Sequence, residues 1–203
     1  MRLNSLYVVA ALVLASACSS RQEKAEQFSA AANALVAAGD FEGARKEILK
    51  AVAARDDVPE QWLLLGRVDL ETGRPADALL AYSRVLELDA TNIEALQLVA
   101  ELSFQFGNTR EAAKSADRVL ALDPNTTRAI LVKGLIALGK KDAAGAMSAA
   151  ESILKLKPKD EFGLVLKARA LAIGKDYQGA VKIIEEGVPE AQRTEASFAT
   201  LCE

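Results

Sequence analysis

Residues 59–92 read PEQWLLLGRVDLETGRPADALLAYSRVLELDATN, and this stretch decides how the rest of the chain is interpreted. It contains two amphipathic helical segments that are joined by the polar turn 71–74. Trp62, Leu65 and Gly66 lie near its start, and Ala78 opens its second half. Helical periodicity on both sides of a short turn predicts a helix–turn–helix unit.

The same pattern recurs at a constant spacing, so that five units begin at positions 25, 59, 93, 127 and 161. The eighth residue of each unit is small: Ala32, Gly66, Ala100, Gly134 and Ala168. The twentieth is always alanine: Ala44, Ala78, Ala112, Ala146 and Ala180. The fourth is always large and apolar: Phe28, Trp62, Leu96, Ile130 and Leu164. Small side chains let the two helices of a unit cross closely, and the large residue fills the adjacent gap.

The spacing between units and the start W-x2-L-G resemble the tetratricopeptide repeat, whose period is about 34 residues. The resemblance implies an all-α fold, an α-solenoid that forms a right-handed superhelix of about five helix–turn–helix repeats plus a partial sixth helix. The repeats would cover 25–58, 59–92, 93–126, 127–160 and 161–194. Residues 195–203 would form either a short cap or the start of a further repeat.

The turns carry residues that start and stop helices. Asp40, Asn108, Asp142 and Asp176 lie near the turn inside a unit, where each can cap the helix that follows. Pro124 and Pro158 lie between units and are predicted to end the second helix.

Residues 1–17 have the layout of a secretory signal peptide, with a basic start at Arg2 and an apolar run over 6–15. That run is too short to span a bilayer, which needs roughly 20 residues. The sequence at 14–18, Leu-Ala-Ser-Ala-Cys, resembles the lipobox of bacterial lipoproteins. The resemblance implies cleavage before Cys18 and attachment of several acyl chains to it, which gives durable membrane anchoring.

The polar residues 18–24 are interpreted as a lipidated tether. Ser19 directly after the cysteine resembles the sorting signal for the outer membrane, so the resemblance implies a lipid-anchored protein that faces the periplasm. The alternative is a plain secretory signal, which would release the protein into the periplasm.

Composition argues against most enzyme classes. The chain has no histidine, and its two cysteines, Cys18 and Cys202, cannot form a Cys-x-x-Cys site. Without histidine the chain lacks the commonest general base and the usual zinc ligand. A net charge of −3 without a basic cluster argues against nucleic acid. We therefore expect no catalytic residues, no metal and no cofactor.

One motif imitates a nucleotide site. Residues 134–140, GLIALGK, match the start of a phosphate-binding P-loop, but Lys141 replaces the Ser or Thr that would hold magnesium. A P-loop also follows a β-strand, and none is predicted here. Gly134 is better explained as the small residue of a helix crossing and Gly139 as a helix stop, so no nucleotide is expected.

In tetratricopeptide arrays the first helix of each repeat lines a concave groove, mainly through its second, fifth, ninth and twelfth residues. The resemblance thus implies the following groove residues: Asn33, Leu63, Arg67, Gln97, Glu101, Phe104, Arg128, Leu131, Leu135, Phe162 and Arg169. These change from polar and acidic to apolar along the chain, which suits a protein or peptide ligand with an apolar anchor. Alternatively, the C-terminal segment or a missing sixth repeat covers Leu131, Leu135 and Phe162.

Together these features predict a non-catalytic interaction scaffold that is anchored to the outer membrane. Lipoproteins of this build serve pilus assembly, β-barrel insertion or exopolysaccharide export, so the resemblance implies help in assembling an envelope machine for pili, secretion or polysaccharide export. The alternative function is a periplasmic adaptor that regulates a cell-wall hydrolase or a protease.

Overall fold

The computed structural model describes residues 3–187, and it describes side chains from residue 20 onward. The described residues form ten α-helices and no strand, which confirms the all-α prediction. The helices are α1 Leu3–Ala37, α2 Phe41–Ala54, α3 Pro59–Glu71, α4 Pro75–Leu88, α5 Ile93–Gln105, α6 Thr109–Leu122, α7 Thr127–Gly139, α8 Ala143–Leu156, α9 Glu161–Ile173 and α10 Tyr177–Gly187. The side chain of Cys18 and the predicted cap 195–203 lie outside the described residues.

The chain divides into two compact units between Ala95 and Leu96. In the first unit α1 packs on α2, α2 on α3, and α3 on α4. In the second unit α6 to α10 pack on one another in chain order, and α7 also contacts α9. Packing of each helix on its neighbours in sequence, through short turns, is the construction principle of an α-solenoid.

Four first helices begin at the residues where the repeat spacing starts a unit, namely Pro59, Ile93, Thr127 and Glu161. The first repeat differs, because its first helix, α1, extends back to Leu3 and contains residues 18–24, which the sequence predicts as a tether. The difference has a physical reason. Residues 18–24 contain neither Gly nor Pro, and Gln, Glu and Lys among them are good helix formers.

The crossing positions are buried in every repeat. Ala44, Ala78, Ala112 and Ala146 at the twentieth position have no exposed surface, and Ala180 is 4% exposed. The eighth residues are buried as well. At Gly66 the approach is very close, because an added Cβ would lie 2.7 Å from the Tyr82 ring. The small residues therefore permit the close helix packing that the sequence predicts.

Side chains in the turns cap the second helices. Asp40, Asn108, Asp142 and Asp176 each accept a hydrogen bond from the backbone N–H three residues later, at 2.8, 3.2, 2.9 and 2.9 Å. These contacts satisfy N–H groups that lack a partner within the helix, as predicted. Pro124 and Pro158 follow the ends of α6 and α8, also as predicted.

The residue before each cap position has a left-handed backbone. In three repeats it is a glycine, Gly39, Gly73 and Gly107, with φ between 70° and 77°. In the last two repeats it is Lys141 at 58° and Lys175 at 68°. The residue that reverses the chain after α7 is thus Lys141, whereas Gly139, the predicted stop, is the last residue of the helix.

Candidate functional site

The first unit has a cavity on the face of α1 and α3 where the groove is predicted. Its polar and charged lining is Glu26, Ser29, Asn33, Glu60, Gln61 and Arg67, and its apolar lining is Ala30, Ile48, Val58 and Leu64. Asn33 is not fully free, because its side-chain amide donates to the carbonyl of Ser29 at 3.0 Å. This face therefore combines polar groups with apolar ones.

The Arg67 guanidinium is engaged within the protein. Its Nε and Nη2 donate to the two carboxylate oxygens of Glu94 at 2.6 and 2.5 Å. The hydrogen bonds to Glu94 raise the pKa of Arg67 above its usual value. Such a two-point pair holds both side chains in a fixed geometry, so Arg67 is already occupied as a hydrogen-bond donor.

The second unit repeats this contact with the charges exchanged. Arg128 donates from Nη2 to Oε2 of Glu101 at 2.6 Å. The other carboxylate oxygen of Glu101 is buried and has no hydrogen-bond partner in the described residues. Both ion pairs join the ninth residue of one repeat to the second residue of the next. A search for opposite charges at this fixed separation would have found them in the sequence.

The predicted groove residues of the second unit come together around one apolar cavity of about 350 Å³. Its apolar lining is Phe104, Leu131, Val132, Leu135, Ile153 and Phe162, and its polar lining is Glu101, Thr127, Arg128 and Asp160. Phe162 is 53% exposed, an unusual state for such a large apolar ring. We call this feature the inner cavity.

Six of the eleven predicted groove residues line the inner cavity: Glu101, Phe104, Arg128, Leu131, Leu135 and Phe162. Asn33 and Arg67 line the cavity of the first unit. Leu63, Gln97 and Arg169 line neither of the two cavities. Leu135 and Phe162 occupy the same ninth and second positions as the ion pairs, so an apolar contact replaces a charged one in the last repeats.

The first unit also holds a buried charge that the sequence analysis missed. Asp69 is only 1% exposed and accepts a hydrogen bond from Nε of Arg45 at 2.5 Å. Arg45 also donates to Asp77 at 3.1 Å. Burial raises the pKa of Asp69 above its usual value, although the Arg45 guanidinium opposes the shift. Pairing with Arg45 therefore offsets part of the cost of burying this carboxylate.

The equivalent positions of the second unit, two repeats further along the chain, are Ala113, Ala137 and Gly145. These small residues line a second cavity of about 540 Å³, which we call the outer cavity. Lys133 and Lys140 also line it. Small residues thus leave open in the second unit the space that an ion-pair network fills in the first.

The structure gives Gly134 and Gly139 helical roles and not those of a P-loop. Both belong to α7, and no strand precedes that helix within residues 3–187. An added Cβ at Gly134 would contact Leu166 and lie 3.0 Å from the Cβ of Ala149. Among the described side chains, His, Cys, Asp and Glu form no group of three that could hold a metal ion. Over the same part of the chain, no helix combines the length and hydropathy needed to cross a membrane.

Comparison with protein families gives two matches to the tetratricopeptide repeat, at residues 29–93 and 69–136. Together the two matches extend over more than half of the chain. No curated protein sequence matches significantly.

Many solved structures share the fold. A crystal structure of MamA has a TM-score of 0.75 and 23% identity, and the match covers 82% of this chain and 91% of MamA. A tetratricopeptide repeat protein from Parabacteroides merdae has a TM-score of 0.76 and 20% identity, with 88% and 71% covered. YrrB, described as a tetratricopeptide-repeat protein with an unusual peptide-binding site, has a TM-score of 0.75 and 14% identity, with 93% and 97% covered. These likenesses confirm an α-solenoid built from tetratricopeptide repeats.

Proposed function

Because the chain belongs to the tetratricopeptide-repeat family, whose members are generally non-catalytic interaction scaffolds, we propose that it docks a partner protein in its inner cavity. The partner would belong to an assembly in the bacterial envelope that builds pili, secretes proteins or exports exopolysaccharide. The scaffold would be held at the outer membrane by lipid on Cys18 and would face the periplasm.

The observation that carries the docking proposal is the contrast among the predicted groove residues. The charged residues Arg67, Glu101 and Arg128 are engaged in internal ion pairs. Leu131, Leu135 and Phe162 instead line an open cavity. Apolar surface that remains accessible in a concave site is the usual mark of a binding surface. The description of YrrB as peptide-binding adds support from a protein with the same fold.

The anchoring proposal rests on the sequence around Cys18. The short apolar run 6–15 and the small residues before the cysteine support cleavage and lipid attachment there. Cleavage before Cys18 would leave residues 18–37 of α1 connected to the lipid.

Photo-crosslinking in cells tests the docking proposal. A photoreactive residue at Leu131, inside the inner cavity, should form an adduct with one component of an envelope assembly. Leu80 on α4 is the control, because it is 70% exposed and lines neither the cavity of the first unit nor the inner cavity. An adduct only with residues 188–203 of the same chain would mean that the cavity is covered internally, and docking would be refuted. An adduct with a cell-wall hydrolase or a protease would favour the adaptor function instead.

Metabolic labelling with an alkyne fatty acid tests the anchor. Wild type should incorporate the label and sediment with outer membranes, whereas Cys18→Ala should do neither. Cys202→Ala is the matched control and should behave as wild type. Equal labelling of all three proteins would exclude Cys18 as the lipid site.

A further inference from the structure

We infer that the inner cavity takes a partner segment in which acidic residues flank a bulky apolar side chain, and that Lys157 and Lys159 recognise the acidic flank. The inference rests on the proposed docking function and specifies the chemistry of the partner. The lysines belong to the turn between α8 and α9 and not to the helix faces where groove residues were predicted.

The lysine turn is continuous with the inner cavity. A shallow depression is lined by residues 157–162, and two of these residues, Asp160 and Phe162, also line the inner cavity. A segment that places an apolar side chain beside Phe162 would therefore continue over the turn that carries the lysines. Apolar anchoring next to a charged rim is the usual organisation of a protein-binding site.

Lys157 and Lys159 are available for such a contact. Both are exposed, and within the described residues neither makes an ion pair or a side-chain hydrogen bond. The nearest carboxylate in sequence, Asp160, is engaged in capping α9, since it accepts from the N–H of Gly163 at 3.0 Å. These two ammonium groups differ in this respect from Arg67 and Arg128, whose charges are neutralised internally.

The distribution of charge along the chain supports an acidic partner at this place. Residues 20–95 contain nine basic and 14 acidic side chains, a net charge of −5. Residues 96–187 contain 14 basic and 11 acidic side chains, a net charge of +3. With residues 188–203 included, the second unit carries 15 basic and 14 acidic side chains, a net charge of +1, so it repels a negative segment less than the acidic first unit does.

An anionic membrane surface is the competing ligand for exposed lysines beside an exposed aromatic ring. The shape of the site favours a peptide. Leu131 and Leu135 are half-buried in the wall of a concavity, where a side chain can enter but a flat bilayer surface cannot follow.

The experiment uses the full chain in its own cells, with the photoreactive residue at Leu131 and identification of the crosslinked segment by mass spectrometry. We expect a segment with Leu, Ile, Phe or another bulky apolar residue and at least two Asp or Glu close to it in sequence. The double variant Lys157→Glu/Lys159→Glu should reduce adduct yield at least tenfold. The charge-matched control Lys140→Glu/Lys141→Glu, in the turn between α7 and α8, should leave the yield within twofold of wild type.

A crosslinked segment without acidic residues, or equal losses in the two double variants, would overturn the inference while the docking function stands. Absence of any adduct with another protein would refute the docking function itself.

A second experiment tests the membrane alternative: purified protein is mixed with vesicles made from phosphatidylcholine and phosphatidylglycerol in a two-to-one ratio and then sedimented. Binding to these vesicles that Lys157→Glu/Lys159→Glu abolishes would assign the lysines to a membrane and overturn the inference. No binding to vesicles, together with the tenfold loss of adduct, would support it.

Discussion

The two units share one repeat spacing but use different chemistry at equivalent positions. In the first unit, the ion pairs Arg45–Asp69 and Arg67–Glu94 join neighbouring repeats. The second unit keeps a pair of the second kind between Arg128 and Glu101. In the second unit, Ala113 and Ala137 replace the first pair and leave the outer cavity. Leu135 and Phe162 replace the second pair and line the inner cavity.

The difference shows that the repeat backbone does not require either solution. Close helix crossings depend on the small eighth and twentieth residues, which both units keep. The positions between repeats are then free to carry charges, small residues or exposed apolar groups. The proposed docking site lies where Leu135 and Phe162 take the place of such a charged pair, in the second unit.

The largest expected effect comes from removing the guanidinium that neutralises buried Asp69. Arg45→Met should destabilise the first unit by about 3 kcal/mol, because the carboxylate would remain buried without a partner. The measurement is urea unfolding followed by the fluorescence of Trp62, the one tryptophan of the chain, which lies in the first unit.

Two controls sharpen this test. Lys46→Met, at the exposed neighbouring residue, should change the unfolding free energy by less than about 0.5 kcal/mol. Arg45→Met combined with Asp69→Leu should recover most of the loss, since an apolar pair resembles the alanine-lined positions of the second unit. A loss that persists in the double variant would mean that Arg45 acts through its packing and not through its charge.

Glycine at the helix crossing should be more strictly required in the first unit. Gly66→Ala places a methyl group 2.7 Å from the ring of Tyr82, which is fully buried and cannot move away, and should cost about 1–2 kcal/mol. Gly134→Ala places its methyl group still closer to a terminal methyl of Leu166, which is also buried. A terminal methyl can shift through a change of its χ angles, whereas a rigid ring has to move as a whole, so the loss at Gly134 should be smaller by about 1 kcal/mol. Chemical denaturation measures both.

Gly139→Ala is the control for helix propensity, since its Cβ would contact nothing within 4 Å. It should be neutral or slightly stabilising. Equal losses of unfolding free energy for Gly66→Ala and Gly134→Ala would show that the Tyr82 ring resists the added methyl group no more than Leu166 does.

The left-handed turn residues distinguish the last two repeats, which carry Lys141 and Lys175, from the first three, which carry glycine. Lys141→Gly should stabilise the second unit by about 0.5–1 kcal/mol, because glycine adopts a φ of 58° without the steric strain of a side chain. The reverse change in the first unit, Gly73→Lys, should destabilise by a similar amount. Thermal melts compare the pair, and Lys140→Gly, at a φ of −86°, should not stabilise. An equal increase in melting temperature for Lys140→Gly and Lys141→Gly would show that the left-handed backbone at Lys141 is not strained.

The smallest effect is expected at the Arg67–Glu94 pair. Both side chains are more than one-third exposed, so Arg67→Ala should lower stability by only about 0.2–1 kcal/mol. Salt at about 1 M should remove most of this difference, because it screens exposed charges. A loss that does not respond to salt would indicate that the Arg67 stem contributes by packing.

Much of the architecture could be predicted from the sequence, because the determining residues recur at a fixed spacing. The starts of α3, α5, α7 and α9, the buried crossings and the four caps depend on local residue types that an alignment of successive repeats superimposes. The burial of Asp69 could not be predicted in this way, because its partner Arg45 belongs to the preceding repeat and the pair does not recur.

The candidate site was predicted in part. The resemblance placed Leu131, Leu135 and Phe162 on one face, and they do line one cavity. It also selected Arg67, Glu101 and Arg128 as groove residues, without indicating that their charges are engaged internally. Lys157 and Lys159 were missed because they occupy a turn, outside the helix positions from which the groove was assigned.

The repeating fold follows from the sequence alone, since small and large residues at fixed positions specify how neighbouring helices cross. Which polar groups remain available depends on contacts that form only when the repeats pack together. Residues 24 or 27 positions apart meet across a repeat boundary. Whether they form an ion pair or line a cavity depends on both side chains and on the distance between them. A repeat pattern assigns a position to each residue separately. Whether a side chain is available for binding depends on whether another side chain of the protein already pairs with it.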